Sequence, residues 1–213
     1  GLVEDNLIHD NGLSGMDIEG VTNATFRDNL VYGNGKHGIT LHSQDQADTP
    51  VCANNTFVGN TVAGNSMFAV QVQAPDAAET FFDNILLGGG GSYGAIGTSG
   101  TPAGLLSDYN AVSDSFSSSL GTSSMTLAAW RSAGGQDQHS VAATASTLFV
   151  NFAANDLHLK AGAPAIDAGA ASFNGKSAPP PTTPTPRGRR GRGMTWGRTN
   201  SPPPGPRPTP PPP

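Results

Sequence analysis

Six polar side chains at two-residue spacing carry what chemistry this 213-residue chain could do: Asp17 and Glu19, Thr40 and His42, Gln71 and Gln73. Each pair sits in a short alternating segment: Met16-Asp17-Ile18-Glu19, Ile39-Thr40-Leu41-His42 and Val70-Gln71-Val72-Gln73. Period-two strands point Met16, Ile18, Ile39, Leu41, Val70 and Val72 one way and the six polar residues the other. Side by side, the segments form one column Asp17–Thr40–Gln71 and a second Glu19–His42–Gln73. Lys36 and His37 fall in the turn leading into the second segment. β-Elimination from an acidic polymer needs a base for the α-proton and a cation for the enolate-like charge. His42 or Lys36 could be that base, and Asp17 with Glu19 could hold Ca²⁺ through oxygens. Thr40, Gln71, Gln73 and His37 would then bind substrate. Hydrolysis would need two carboxylates flanking the bond; Asp17 and Glu19 stand about 6.5 Å apart on one strand. The plainer alternative is a solvated polar face that binds or does nothing.

The elements that must position these residues are written in a repeat. Asp5-Asn6-Leu7-Ile8, Asp28-Asn29-Leu30-Val31, Gly59-Asn60-Thr61-Val62 and Asp83-Asn84-Ile85-Leu86 share one pattern, with the asparagines 23, 31 and 24 residues apart. Five residues after the first three comes a second asparagine: Asn11, Asn34 and Asn65. A period in the twenties with strand-like content specifies a solenoid. Short runs of Val, Ile, Leu, Phe and Thr are strands, and the Gly, Asn and Asp between them suit left-handed turns. Stacked coils place equivalent residues about 4.8 Å apart, so Asn6, Asn29, Asn60 and Asn84 can bond along the stack as a structural ladder. The stretch Gly33 to Gly38 matches a dinucleotide-binding fingerprint, but a strand rather than a helix follows it, which excludes that reading. His9, His139 and His158 are scattered without metal-ligand spacing. Residues 111–126 read as a Ser-rich loop leaving the solenoid, and 126–132 as one short helix with Trp130 capping the stack.

The repeat resembles the right-handed parallel β-helix of the pectate-lyase-like superfamily. Ser107-Asp108-Tyr109-Asn110, Leu127-Ala128-Ala129-Trp130, Gly135 to Ser140, Asn155 to Leu159 and above all Pro164-Ala165-Ile166-Asp167-Ala168-Gly169 resemble, in that order, the end of bacterial surface proteins of the "choice-of-anchor Q" type. The resemblance implies an all-β, right-handed single-stranded parallel β-helix, exported to the cell surface or beyond. In that superfamily a polar stripe on one face binds and cleaves polysaccharides. It leaves two functions open: a module that binds glycans or displays other domains, and a polysaccharide lyase or glycosidase. A monomer with no cofactor other than Ca²⁺ is expected.

Composition divides the chain. Through Ala178 it holds all 16 acidic residues and a charge of about −11; from Pro179 on it holds six arginines, no acid and 14 of the 18 prolines. An acidic, Asn-rich body disfavours nucleic acid as a partner. No apolar run reaches the ~18 residues of a membrane span. The single Cys52 excludes an intrachain disulfide. The expected organisation is coils over 1–110, an end region over 111–176 and a disordered Pro/Arg-rich tail over 177–213. Shifted by one base, the codons of Met194 to Ser201 permit Tyr-Asp-Leu-Gly-Ala-Tyr-Glu-Phe, an ending typical of the resembled family. The tail therefore reads as an out-of-frame translation, which the coding DNA tests. Gly1 begins inside a coil, so further coils and a leader are expected before it.

Overall fold

In each coil the chain makes a two-residue turn at the same corner, and that turn sets the architecture. The computed structural model describes residues 1–42, 52–73, 78–100 and 104–179; the Pro/Arg-rich tail beyond lies outside the described residues. At the corner, Asp5, Asp28, Gly59, Asp83 and Tyr109 take left-handed φ values of 54 to 68°, and an asparagine follows each. Gly accepts this geometry without strain and Asp tolerates it. On either side of the corner run parallel strands. The first sheet has five: Leu2–Glu4, Thr25–Arg27, Thr56–Val58, Glu79–Phe82 and Leu105–Asp108. The second has six: Leu7–His9, Leu30–Tyr32, Thr61–Ala63, Ile85–Leu86, Ala111–Val112 and Val141–Ala142. The third has four: Met16–Glu19, Ile39–His42, Val70–Val72 and Ile96–Thr98. Strand n of one coil pairs in parallel with strand n of the next, so the chain is an all-β parallel solenoid of about five coils.

The asparagines lock this register. Asn6 donates from its backbone N and from Nδ2 to Asn29 Oδ1, at 3.1 and 2.8 Å. Asn29 does the same to Asn60, Asn60 to Asn84, and Asn84 to Asn110. A second ladder joins Asn11, Asn34 and Asn65 in the same way. A third column escapes the sequence reading because a glutamate takes the asparagine's place. Asn55 donates from N and Nδ2 to the two carboxylate oxygens of Glu79, both at 3.1 Å.

The interior is apolar. Phe26, Phe57 and Phe81 stack with ring centroids 4.7 and 4.4 Å apart. The inward residues of the third sheet, from Met16 to Val72, join them. A second apolar core lies outside the coils. There the segment Ala143–Ala168 covers the outer face of the second sheet, packing Leu148, Phe149 and Leu157 against Leu30, Ala63 and Ile85. From there the chain turns back along the corner. Ala170 N donates to Asp83 Oδ1 at 2.8 Å, and Phe173 rests 6.0 Å from the rings of Phe82 and Tyr109.

Two expectations about the end region need correction. Residues 111–126 do not simply leave the solenoid: Ala111–Val112 pairs with Ile85–Leu86, and Ser117 and Ser119 bridge to Gly97 and Ser99. The tail does not start at 177 either, because Lys176–Ser177 is half of a hairpin with Ser172–Phe173. Backbone pairing decides both cases, since a Ser-rich composition does not prevent a strand from completing a ladder. The expected short helix spans Leu127–Gly134, capped by Thr126 and ended at the left-handed Gly135. Ala145–Leu148 adds a single further turn. Trp130 is 1% exposed and stacks on Phe116 at 4.9 Å, sealing the interior.

At this end the first ladder stops on a carboxylate. Asn110 donates from N to Ser140 Oγ at 2.8 Å and from Nδ2 to Asp137 Oδ1 at 3.3 Å. Asp137 is fully buried and also accepts from Ser107 Oγ, Ser140 Oγ and Trp130 Nε1. Burial pushes its pKa up, against the pull of those four donors.

Close packing of the coils makes a first prediction. A Cβ on Gly38 would stand 2.1 Å from Val62 Cγ1 and 2.7 Å from the Ala69 carbonyl oxygen. Gly38→Ala is therefore expected to destabilise the fold by about 1–3 kcal/mol through overpacking. Urea unfolding checks this; an unchanged midpoint would show that the coils have slack there.

Candidate functional site

The third sheet carries the polar columns on its outer face. Asp17, Thr40 and Gln71 are register partners, and so are Glu19 and His42. Gln73 follows Val72 and donates its backbone N to Leu41 O at 2.9 Å. Thr40 and Gln71 are only 6% and 8% exposed, far less than a flat solvated face allows. Neighbouring segments rise beside the stripe and make it the floor of an open cleft of about 420 Å³. Asp17, Lys36, His37, Thr40, His42, Gln71 and Gln73 line it, together with Ser14, Met67, Tyr93 and Leu120. Glu19, placed by sequence beside Asp17, lies outside the lining.

Within the cleft the polar groups are ordered in pairs. His42 Nε2 lies 2.9 Å from Asp17 Oδ1, which fixes the imidazole's orientation and leaves Nδ1 as the second ring nitrogen. The hydroxyls of Ser14 and Thr40 are 3.0 Å apart, and Gln73 Nε2 donates to Gln71 Oε1 at 2.9 Å. His37 stacks on Phe68 at 5.8 Å, and Phe68 meets Tyr93 edge-on at 5.3 Å. Burial first, and then Lys36, lower the His37 pKa, while Asp17 opposes them. His37 Nδ1 is buried with no hydrogen-bond partner. His37 is thus a neutral, half-aromatic wall. Arg27, the nearest arginine by sequence, is on the first sheet and is paired with Glu4.

Among the described residues no group of three or more His, Cys, Asp or Glu side chains is arranged to hold a metal ion. Calcium takes six to eight oxygens, so Asp17 and Glu19 alone are too few. Asp17 already shares one oxygen with His42. The sequence missed Ser14, Met67, Tyr93 and Leu120. One signal was present for two of them: Ser14 and Tyr93 each precede a Gly that leads into a third-sheet strand, as His37 does. No local signal marks Leu120, which arrives from a distant loop.

Besides Asp137, three carboxyls outside the cleft are strongly perturbed. Burial raises Asp28 to about 6, helped by the nearby Asp5, and raises Glu79 and Asp83 to about 7. A carboxyl whose folded pKa exceeds its unfolded value binds its proton more tightly in the native state, so stability falls as pH rises through the folded pKa. The full contribution is present below about pH 4 and is gone above about pH 7. The melting temperature is expected to drop from pH 5 to pH 8. Glu79→Gln removes the titrating group at the loss of one of the two acceptors that Asn55 uses, and so should lose less melting temperature between pH 5 and pH 8 than the parent. Calorimetry at both pH values checks this; a parent melting temperature that rises with pH would reverse the assignment.

Comparison with known proteins agrees with the geometry. Residues 1–103 match the family model of the right-handed β-helix region. No curated protein matches the chain, and neither does any solved structure.

Proposed function

We propose that this right-handed β-helix protein is a glycan-binding module of an extracellular or cell-surface protein, acting as a monomer through the cleft over its third sheet. One observation carries the reading: a single cleft is lined by the amides of Gln71 and Gln73, the Thr40 hydroxyl and Lys36, and also by Tyr93 and Met67. A sugar ring presents the same two characters, hydroxyls at its edge and an apolar C–H face. The resemblance of Pro164 to Gly169 to surface proteins supports the location. The test is titration calorimetry against linear cello-, xylo-, malto- and galacturono-oligosaccharides. Binding of at least one series is expected, weakened about tenfold or more by Gln71→Ala or by Tyr93→Ala, each of which removes a contact worth about 1.4 kcal/mol or more. No binding to any series would refute the reading.

The His42–Asp17 pair favours a second reading, a polysaccharide lyase. His42 would take the proton α to a uronate carboxyl, the β C–O glycosidic bond would break as the double bond forms, and the departing sugar oxygen would take a proton from water; Asp17 would orient the imidazole and stabilise its protonated form. Lys36 would face the developing negative charge. Thr40, Gln71, Gln73 and His37 would hold the chain. Release of unsaturated, ultraviolet-absorbing ends from polygalacturonate, lost in His42→Ala, is the expected signature; a parent protein that releases none removes this reading.

A further inference from the structure

The polar floor of the cleft stops abruptly. Its outer column runs Asp17, Thr40, Gln71 and then Gly97, where there is no side chain. The Phe68 ring fills that place, since a Cβ on Gly97 would stand 2.5 Å from two of its atoms. Beyond Gly97 the segment that follows Ala111–Val112 in the fifth coil folds over as a wall. Ser117 and Ser119 bridge to Gly97 and Ser99, and Leu120 N donates to Thr98 O at 3.1 Å.

Leu120 itself is strained. Its φ is 51°, in the left-handed region that a bulky side chain rarely adopts, and it lines the cleft. Serine hydroxyls hold it there. Ser117 Oγ accepts from the backbone N of Ser119 and of Gly121, at 3.2 and 2.9 Å, and Ser119 Oγ accepts from Ser123 N at 3.0 Å. A wired loop of this kind is a fixed wall and not a lid. Strain of this kind persists where the surroundings over-determine it, and it clusters at ligand sites.

We infer that Leu120 is a specificity determinant: it closes one end of the cleft, so the site takes the terminus of a glycan chain and not a stretch of its middle. The inference rests on the glycan-binding reading above. The last units of the chain lie over Thr40 and Gln71, and its end meets Leu120.

Leu120→Gly tests this, because glycine suits the left-handed backbone and opens the wall at once. The probes are the same four linear glycans, each as short oligosaccharides and as long polymers, with copies bound per chain measured by analytical ultracentrifugation. The parent is expected to bind once per end of the recognised kind, so one copy per chain at every length. Leu120→Gly is expected to melt no lower than the parent and to load several copies onto one long chain. Several parent copies per long chain would overturn end recognition while leaving glycan binding intact. A variant that keeps single occupancy would overturn the role of Leu120. Failure of the parent to bind any of the four would overturn both this inference and the reading beneath it.

Discussion

Asn60→Ala is expected to destabilise the protein by about 4 kcal/mol, the sum of several orphaned buried groups at about 1–3 kcal/mol each, moderated by relaxation. Asn60 sits mid-ladder and is 1% exposed. Its Oδ1 accepts from Asn29 N and Nδ2, at 3.1 and 2.9 Å. Its Nδ2 donates to Asn84 Oδ1 and to the Phe26 carbonyl, at 3.0 and 2.9 Å. Alanine leaves donors and acceptors unpaired in the coils on both sides, with no solvent to replace the lost partner. For a domain of this size, 4 kcal/mol corresponds to a fall of about 8–16 °C in melting temperature. Asn6→Ala supplies the internal control. Asn6 is exposed, and among the described residues its side chain donates to Asn29 and to the Glu4 carbonyl. Its loss should cost less than about 1 kcal/mol. Equal effects at Asn6 and Asn60 would show that burial does not give the ladder its strength.

The second large effect is at the other end. Asp137→Ala removes one carboxylate that satisfies four buried donors: Ser107 Oγ, Ser140 Oγ, Asn110 Nδ2 and Trp130 Nε1. It also puts alanine at a φ of 54°. A loss of about 3–5 kcal/mol is expected, the range for breaking a buried charged network by removing one partner. Asp137→Asn separates the two causes. Asparagine tolerates the left-handed backbone, yet its NH₂ group faces a donor wherever it turns, so it should still lose about half as much. Denaturant unfolding followed by circular dichroism checks both variants. A fully stable Asp137→Asn would mean that backbone conformation, and not the carboxylate, fixes this corner.

How far the sequence discloses the structure depends on how local each feature is. The inside–outside assignment of Met16, Ile18, Ile39, Leu41, Val70 and Val72 follows from period two alone, and all six are buried. The ladder was legible because an amide that must both donate and accept at one corner leaves few choices besides asparagine. The Asn55–Glu79 step was hidden because glutamate meets the same two donors with different atoms. The cleft was half visible. Its floor is a pattern within strands, but its depth comes from Tyr93 and Leu120, which depend on how distant loops fold. The outer core did have a signal. Leu30-Val31 and Ile85-Leu86 are apolar at adjacent positions, as strands buried on both faces are, so a cover over the second sheet was implied though not its identity.

The polarity of the asparagine ladder bears on how such a molecule can change its length. From Asn6 to Asn84, each rung donates its backbone N–H and one Nδ2–H to the Oδ1 of the next rung toward Asp137, so each coil presents the same acceptor to the coil before it and the same donors to the coil after it. A duplicated coil inserted between two others would find both sides already matched, and neither end would need redesign. The spacings between rungs, 23, 31, 24 and 26 residues and then 30 to Ser140, show where variation already accumulates. Insertions fall between the corners, while the corner itself keeps its register. Growth by internal duplication is therefore open to this fold at any coil before the carboxylate, and closed after it.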